Sequence, residues 1–430
     1  MSQTGPPIRT ATPSDTTAAH PRSYWDIVWQ QFGKNRAALV SAWTLVPLFL
    51  MAIFAPVIAS NEPFVFRDGD RLIYPWFRAL MNPEEAVDFV FNMALIGFVP
   101  WALAALGLNW RWRRGRVHIR RRLVWSLGMY AGLIAVLCGV FSFEQLRPDN
   151  KFRQRDFTAE EFAAQGSMRG WYPPIPFGPT EQDLRAIFKR PGFTAQATGE
   201  LNKSTDAIPH LLGTDDTGSD VLVRMIYGTR ISLTVGFIAV GLYITIGVIV
   251  GALAGYFGGT VDILISRVIE IVLLFPAFFL ILTLVALIGP SIYIIMLVIG
   301  ITGWPTTARL IRGEVLKQRG NDYVAAARSL GASHLRVIFR HVLPNALSPA
   351  MVAAPFGVAG AIITEAGLSL LGFGVQPPAP SWGTLLKQGS ENYTYWWLVV
   401  VPALAMFFTV TIFNLVGSGL RDAMDPRLRV

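Results

Sequence analysis

The stretch ISLTVGFIAVGLYITIGVIVGALAGY, residues 231–256, decides the fold because none of its 26 residues is charged. An α-helix needs about 20 predominantly apolar residues to cross the hydrocarbon core of a bilayer. An uninterrupted apolar run of this length is therefore typical of a membrane span. The stretch predicts a transmembrane helix, and lipid is the expected solvent for this part of the chain.

The composition of the whole chain extends this prediction. Hydrophobic residues make up 52% of the 430 positions and charged residues 15%, which argues against a large soluble enzyme. The net charge of +9 would favour nucleic-acid binding in a soluble protein, but in a membrane protein arginine more often sets orientation. Nucleic-acid binding is therefore not expected. The single cysteine, Cys138, lies in an apolar stretch, and a packing role is expected for it.

Further apolar runs predict an all-α polytopic membrane protein with about eight spans. The other runs are 37–59, 86–108, 123–143, 263–288, 291–311, 345–371 and 397–417. Arginines crowd the short loop between the second and third spans, and such a loop is predicted to be cytoplasmic. By parity, the basic segment 309–340 falls on the same side. Both termini are then cytoplasmic, as in a multi-pass protein of the bacterial inner membrane.

These spans divide the chain into segments with different expected environments. They are a cytoplasmic tail with an interfacial helix at 1–36, the first span at 37–59, an extra hairpin at 86–143, a periplasmic segment at 144–228, a membrane core at 229–418 and a second cytoplasmic tail at 419–430.

The cytoplasmic stretch 312–344 carries a helical pattern of its own. Small residues at 323–327 favour a helix, Gly331 breaks it, and a second amphipathic run ends at Leu343-Pro344. Two short helices joined at a glycine are predicted. Small side chains let a partner approach closely, and a rigid helix can pass motion from that partner into the adjoining spans. The alternative interpretation is a solvated basic loop.

This spacing resembles the coupling motif of binding-protein-dependent ABC permeases. In that family the element docks into a groove on an ATPase subunit, and the resemblance implies the same role for a set of positions here. They are Asp322, Tyr323, Ala326, Ala327, Gly331, Leu343 and Pro344. Two positions depart from the motif, with Ala325 in place of the usual glutamate and His341 in place of an apolar residue.

Further stretches resemble one branch of these permeases, which handles oligopeptides, dipeptides and nickel. They are HLLGTD and YGTRISL within 210–233, GYFGG and FP within 255–276, and GVQPP and SWG within 374–383. Within this branch, NEP at 61–63 and PFGPT at 176–180 are similar to the Yej-type peptide permeases. The resemblance covers roughly residues 209–426 and, more loosely, the first span.

The resemblance implies the transmembrane fold of a type I ABC importer, with the six-helix layout of the family and the hairpin 86–143 in addition. It implies a permease subunit that moves peptides or peptide-like compounds by alternating access, with nickel as an alternative cargo. The implied partners, besides membrane lipid, are a second homologous permease, two ATPase subunits or one fused ATPase, and a periplasmic peptide-binding protein. ATP and Mg would bind to the ATPase partners, so this chain is expected to hold no cofactor or metal and to catalyse no reaction.

Charged side chains within predicted spans are candidate pathway or gating residues, because they are costly in lipid. Arg267 and Glu270 are three positions apart on a helix and are expected to pair, which favours gating or packing over substrate contact. Glu365 is expected near the outer end of its span, where a pathway role and a structural role both remain open. Asp88 begins the extra hairpin and is expected to be solvated, and the hairpin itself is expected to be an accessory.

Other chemistries find less support in the sequence. The chain has no Gly-x-x-x-x-Gly-Lys-Ser/Thr motif, so it is not expected to hydrolyse ATP. Asp215, Asp216 and Asp220 lack the spacing of a calcium loop and are interpreted as turn residues. An ion-coupled secondary transporter would show internal repeats around broken helices, and a membrane-anchored sensor would not need the 312–344 element.

Overall fold

A computed structural model describes residues 24–68, 71–83, 85–114, 119–143, 147, 169–194 and 209–425. The predicted N-terminal tail, the centre of the Arg-rich loop, much of the polar segment 144–228 and the last five residues lie outside the described residues. Helices dominate the rest, which confirms the predicted fold class.

Seven helices among the described residues are long and apolar enough to cross a bilayer. They are α2 (Arg36–Ile53), α5 (Ala86–Arg114), α6 (Ile119–Phe141), α7 (Val221–Phe257), α10 (Ile292–Arg319), α14 (Ser348–Leu370) and α16 (Trp396–Met424). Several of these helices are longer than the predicted apolar runs. Each residue added to an existing helix forms one more backbone hydrogen bond, so a helix can extend beyond its apolar part. Below, the side of the molecule that carries the strands is called outer, and the side that carries 312–344 is called inner.

The remaining predicted span, 263–288, is not one straight helix. It consists of α8 (Gly259–Leu274) and α9 (Ala277–Ile288), which are bent by 83° relative to each other. The break falls at Phe275-Pro276, where proline cannot donate the next helical hydrogen bond. The count of eight spans is therefore met by seven continuous helices and one bent pair within the described residues.

The first predicted span, 37–59, also ends early, for a similar reason. Helix α2 stops at Ile53, and the short helix α3 (Ala55–Ile58) follows it. The carbonyl of Ala52 would normally accept from the amide four residues later, but that residue is Pro56 and has no amide hydrogen. The end of α2 is thus left with carbonyl groups that need a donor from elsewhere.

Shorter helices lie at the outer and inner ends of the spans. They are α1 (Tyr24–Lys34), α4 (Pro75–Met81), α11 (Asp322–Ser329), α12 (His334–Arg336), α13 (Leu343–Ala346) and α15 (Trp382–Glu391), with a π-helical turn at Val337–Val342. The helix predicted near the N-terminus is present as α1, and its place at the membrane surface stays a prediction. Its Val28 and Phe32 are buried against Ala423 and Met424 at the inner end of α16, so α1 is packed onto the core.

Two small sheets lie on the outer side and were not predicted, since their strands are too short to give a periodic pattern. Strand β1 (Val65–Asp68) pairs antiparallel with β2 (Arg71–Ile73) and with β3 (Arg169–Trp171), and β4 (Phe193–Thr194) pairs with β5 (Pro209–His210). Because β1 precedes the hairpin and β3 follows it, the sheet ties the two flanks of the hairpin together.

Helix α7 is the centre of the membrane core and packs closely along α10. Gly247, Gly251 and Gly255 recur at every fourth position on the face of α7 that meets α10. A methyl group added to Gly251 would come within 2.5 Å of the carbonyl oxygen of Ala308. Small residues let helix backbones approach in lipid, where close packing replaces the hydrophobic effect as the force between helices. The α7–α10 pair is thus a rigid link between the outer and inner sides.

Candidate functional site

The inner element consists of the two short helices that the sequence predicts. Helix α11 ends at Ser329, Gly331 follows with a φ of +80°, and α12 begins after Ser333. A positive φ is costly for a residue with a Cβ atom, so the glycine permits this turn. The hydroxyl of Ser333 accepts from the amide of Arg336 at 3.4 Å and caps α12. The predicted helix break at Gly331 is confirmed.

A π-helical turn joins α12 to α13, and Pro344 explains why the helix is irregular here. In a regular helix the amide of residue 344 would donate to the carbonyl of Arg340, but proline has no amide hydrogen. The turn Val337–Val342 instead follows a wider hydrogen-bond pattern. Such π turns are rare and are frequent at functional sites.

One face of the inner element is buried against the spans. Val324 of α11 and Val337, Ile338 and Val342 of the π turn join a cluster with Val315 of α10. Leu343 belongs to the same cluster and is buried. This apolar contact fixes the element to α7 and α10, so a displacement of the element must move these helices as well.

Polar contacts reinforce this attachment at Tyr256, near the inner end of α7. Its hydroxyl shares a hydrogen bond with Nδ1 of His334 at 3.0 Å. The guanidinium carbon of Arg328 lies 5.3 Å from the centre of the Tyr256 ring, within the range of a cation–π contact. Tyr256 therefore contacts both short helices. Sequence reasoning missed this role because His334 and Tyr256 are 78 positions apart.

Three large apolar side chains of the element are exposed, beside the exposed charges of Arg328, Arg336 and Arg340. Leu330 is 89% exposed, Leu335 64% and Phe339 59%. Helix α10 has 28 residues, about 42 Å at 1.5 Å per residue, which is longer than the hydrocarbon core of about 30 Å, so its inner end and the attached element project beyond the lipid. Large apolar side chains in water at such a place are typical of a protein interface.

The predicted coupling residues divide between these two faces. Ala326, Gly331 and Pro344 are exposed, as is Asp322, whereas Leu343 is buried. Tyr323 is 38% exposed, and its hydroxyl donates to Oε1 of Gln318 at 3.0 Å and accepts from Nδ2 of Asn345 at 3.4 Å. Ala327 is half-buried. The structure thus brings all seven positions into one element, some holding it to the core and others facing outward.

The predicted pair of Arg267 and Glu270 is confirmed. Nη1 of Arg267 lies 2.7 Å from Oε2 of Glu270, and the two side chains are 72% and 53% exposed. They lie on α8, within the bent pair, among exposed apolar residues such as Leu264 and Leu274. An ion pair in contact with hydrocarbon is costly, so this face of α8 requires water or another protein chain beside it.

Glu365, the other candidate pathway residue, is sealed inside the protein. Its side chain is fully buried in α14, and Oε1 accepts from the hydroxyls of Ser369 at 2.8 Å and Ser381 at 2.9 Å. Ser381 also caps α15, where its hydroxyl accepts from the amide of Thr384 at 3.1 Å. In this structure Glu365 therefore holds the start of α15 and lines no open path.

An ion pair at the inner end of the spans was not predicted. Arg312 of α10 donates to both carboxylate oxygens of Asp262, with Nη2 to Oδ2 at 2.8 Å and Nε to Oδ1 as the second contact. Bidentate arginine–carboxylate pairs are strong and directional. The pair fixes the start of α8 to α10 next to the inner element.

The expectation that Asp88 is solvated is wrong. Oδ1 of Asp88 lies 2.7 Å from Nη1 of Arg230, a side chain of α7 with no exposed surface. The same guanidinium donates to Asn92 Oδ1 at 3.1 Å, to the carbonyl of Ala52 at 2.6 Å and to the carbonyl of Ile53 at 3.3 Å. These four acceptors and Arg230 are called the outer clamp below. The cause of the error is that local sequence places Asp88 at a helix end but does not reveal the cation beside it.

The outer clamp also supplies a hydrogen-bond donor to the carbonyl end of α2. Pro56 leaves the Ala52 carbonyl without its helical donor, and Nε of Arg230 supplies one. A cation at the carboxyl end of a helix is also favoured by the helix dipole. One arginine thus ties α2, α5 and α7 together and joins the hairpin to the core, while the accessory role of the hairpin stays a prediction.

The interpretation of Asp215 and Asp220 as turn residues is confirmed. Oδ1 of Asp215 accepts from the amides of Thr217 and Ser219, each at 2.9 Å, and its Oδ2 contacts Arg224. Asp220 caps α7, because its Oδ1 accepts from the amide of Val223 at 2.9 Å. Burial and the neighbouring Asp215 raise the pKa of Asp216 above its ordinary value.

Two family models match this chain on either side of the hairpin. Residues 247–430 match the binding-protein-dependent transport system inner membrane component. Residues 23–75 match the N-terminal TM domain of oligopeptide transport permease C. The extra hairpin 86–143 lies between the two matched segments.

Curated relatives agree with both models. The dipeptide transport system permease protein DppC of Alkalihalophilus pseudofirmus is 39% identical over 251 residues, which is 57% of this chain and 82% of that protein. DppC of Escherichia coli is 44% identical over 59% of this chain and 82% of its own length. The oligopeptide transport system permease protein OppC of Haemophilus influenzae is 42% identical over 51% of this chain and 71% of its own length. The chain therefore belongs to the family of binding-protein-dependent transport system inner membrane components, beside the DppC and OppC permeases.

Proposed function

We propose that this chain is one of two membrane-spanning subunits of an ATP-driven peptide importer, and that residues 312–344 transmit the motion of the ATPases to the spans. The observation that carries the proposal is the exposed apolar face of Leu330, Leu335 and Phe339 on an element whose other face is packed onto α7 and α10. Such an element passes a push or pull from a bound partner directly to both helices.

ATP and Mg belong to partner subunits in this proposal, either two ATPases or one fused ATPase. This chain supplies the membrane pathway and the docking element, and it carries out no ATP chemistry of its own. A second homologous permease completes the pathway, and an external peptide-binding protein delivers the cargo. Alternating access then follows from two arrangements of the paired permeases, which nucleotide binding and release favour in turn.

The orientation in the proposal places both termini and 312–344 in the cytoplasm and β3 on the periplasmic side of the inner membrane. The positive-inside rule supports it, since the Arg-rich loop and 312–344 lie on the same side by parity. A reporter enzyme that is active only outside the cytoplasm tests it. Fusion at Gly170 should give activity and fusion at Gly320 none, and activity at Gly320 would overturn the coupling role.

The face of α8 that carries Arg267 and Glu270 lies on the translocation pathway or its gate in this proposal. Their exposure in a single chain supports it, because the pair needs water or a second permease beside it. Glu365 is assigned a structural role, since one of its hydroxyl donors, Ser381, caps α15 and the other, Ser369, lies one turn along its own helix. Neutral variants of the pair should change uptake rate while the amount of folded chain stays constant.

Peptides are the proposed cargo because the relatives are named for dipeptide and oligopeptide transport. The finer similarity to Yej-type permeases supports peptide-like compounds as well, and nickel is the alternative. The test is uptake of labelled dipeptide, longer peptide and radioactive nickel by cells that depend on this chain. Peptide uptake that requires ATP supports the proposal, whereas uptake of nickel alone would replace peptides as the cargo.

A coupling variant belongs in the same uptake assay. Gly331→Asp should leave the membrane level of the chain near normal and abolish uptake, because it places a charge on the exposed part of the element and also strains the turn at a φ of +80°. Arg319→Ala, in the same inner region, serves as the control and should retain uptake. Normal uptake by Gly331→Asp would show that this element is not the coupling site.

A further inference from the structure

A second feature of the membrane region is an apolar cleft between the extra hairpin and the core. It has a volume of about 380 Å³, near the lower end of the range of about 300–1,000 Å³ that is typical of small-molecule sites. Its walls come from the outer ends of three helices. The lining residues are Ala86, Val87, Val90 and Phe91 of α5, Thr234, Ile238 and Leu242 of α7, and Tyr293, Met296 and Leu297 of α10.

The depth of the cleft in the bilayer follows from the helices that form it. Thr234 lies one helical turn below Arg230, whose pair with Asp88 marks the outer end of α5. Leu242 lies eight residues further along α7, about 12 Å deeper at 1.5 Å per residue. The hydrocarbon half-thickness is about 15 Å. The cleft therefore spans the outer leaflet and ends near the middle of the bilayer.

Water is a poor occupant of this cleft. Only Thr234 and Tyr293 among its lining residues carry a polar side-chain group, whereas a buried water needs two to four polar partners. An empty cleft is also unfavourable, since the lining atoms lose their dispersion contacts. Several walls are open to the side, with Val90 49% and Ile238 46% exposed. Hydrocarbon that enters from the bilayer matches this lining better than water does.

We propose that the cleft is a binding site for one acyl chain of an outer-leaflet phospholipid. The chain would lie along Thr234, Ile238 and Leu242, which are four residues apart and line one face of α7. One wall belongs to α5, which lies between the two segments that match the family models. The lipid completes the contact between the hairpin and the core below the outer clamp.

The structure offers a matched control on the same helix. Ile249 is 49% exposed, close to the 46% of Ile238, and it does not line the cleft. It lies eleven residues further along α7, which is nearly the same helix face about 16 Å deeper. Ile238→Trp fills the outer cleft, whereas Ile249→Trp adds the same side chain to the lipid face of the inner leaflet.

The experiment counts phospholipids that stay with the purified full-length chain in a mild detergent, by native mass spectrometry. The wild type and Ile249→Trp should retain the same number, and Ile238→Trp should retain about one fewer, because a tryptophan ring occupies the acyl-chain space. Equal retention by Ile238→Trp, or no retained phospholipid in the wild type, would overturn the proposal. In the complex purified with the second permease, loss of that subunit from Ile238→Trp with unchanged lipid would also overturn the proposal and would assign the cleft to a protein helix.

A second pair of variants keeps the test decisive if Ile238→Trp does not fold. Val90→Trp fills the cleft from the hairpin side, and Val99→Trp places the ring on another exposed position of α5. Only Val90→Trp should lose the phospholipid. A diazirine-bearing phospholipid in vesicles should then label the cleft residues of the wild type and label them less in Val90→Trp, and equal labelling would contradict the site.

Discussion

The two ends of helix α7 differ in whether the side chains beside them find contacts within this chain. On the outer side, Arg230 has no exposed surface and finds its acceptors on α2 and α5 of the same chain. On the inner side, Leu330, Leu335 and Phe339 project from an element that is anchored to α7 at Tyr256 and left open on its other face. The comparison teaches that this chain pairs the buried arginine of its outer side by itself, whereas in the proposed function the exposed apolar residues of its inner side are covered by another protein.

This difference predicts separate consequences for mutations on the two sides. A change in the outer clamp should destabilise the chain whether or not its partners are present. A change on the open inner face should leave the isolated chain intact and weaken the transporter. The variants below test this separation in order of the stability loss expected.

Arg230→Met should have the largest effect. It leaves the carboxylate of Asp88 and the end of α2 without a donor inside the protein, and breaking a buried pair costs about 3–5 kcal/mol. The measurement is thermal unfolding of the purified chain in detergent, together with its level in the membrane. Lys387→Met is the control, because Lys387 and Glu391 form an exposed pair at 3.8 Å, and such pairs contribute about 0–1 kcal/mol. Equal losses in the two variants would contradict the clamp.

Asp88→Asn should have a smaller effect in the same assay. The amide oxygen can still accept from Arg230, but the charge that balances the buried guanidinium is lost, which costs about 1–3 kcal/mol. Glu391→Gln, the other half of the exposed pair, serves as the control. A stability equal to the wild type would support the prediction that the hairpin is an accessory, since its carboxylate would then not stabilise the core.

Much of this organisation could be predicted from the sequence, because hydropathy reports directly which residues meet lipid. The apolar runs predicted the spans, and a glycine followed by a second amphipathic run predicted the helix break at Gly331. The outer clamp could not be predicted, because Arg230 and Asp88 are 142 positions apart and their contact depends on how whole helices pack. The bend at Pro276 and the π turn before Pro344 are visible in sequence only as prolines, whose effect on direction depends on the surrounding helices.

Tyr256→Phe should have a still smaller effect on stability. It removes one hydrogen bond to His334 and keeps the ring and its contact with Arg328, for a loss of about 0.5–1.5 kcal/mol. Because this bond attaches the inner element to α7, uptake should fall more than the thermal stability does. Tyr393→Phe, at a residue that is 78% exposed between α15 and α16 at the outer end of the spans, is the control, and uptake equal to that of the control would contradict a coupling role for Tyr256.

The docking role of the inner face is tested most directly by Leu330→Asp, with Gly320→Asp as the matched control. Leu330 is 89% exposed, so the isolated chain should keep its stability to within about 0.5 kcal/mol. Gly320 has an ordinary helical φ of −77° and places the same charge in the same inner segment away from the exposed apolar face. The measurement is the amount of ATPase subunit that co-purifies with each variant. Docking through this face predicts a loss of at least about tenfold for Leu330→Asp, equivalent to about 1.4 kcal/mol of binding, and recovery near the wild-type level for Gly320→Asp. Wild-type recovery with Leu330→Asp would contradict docking through this face.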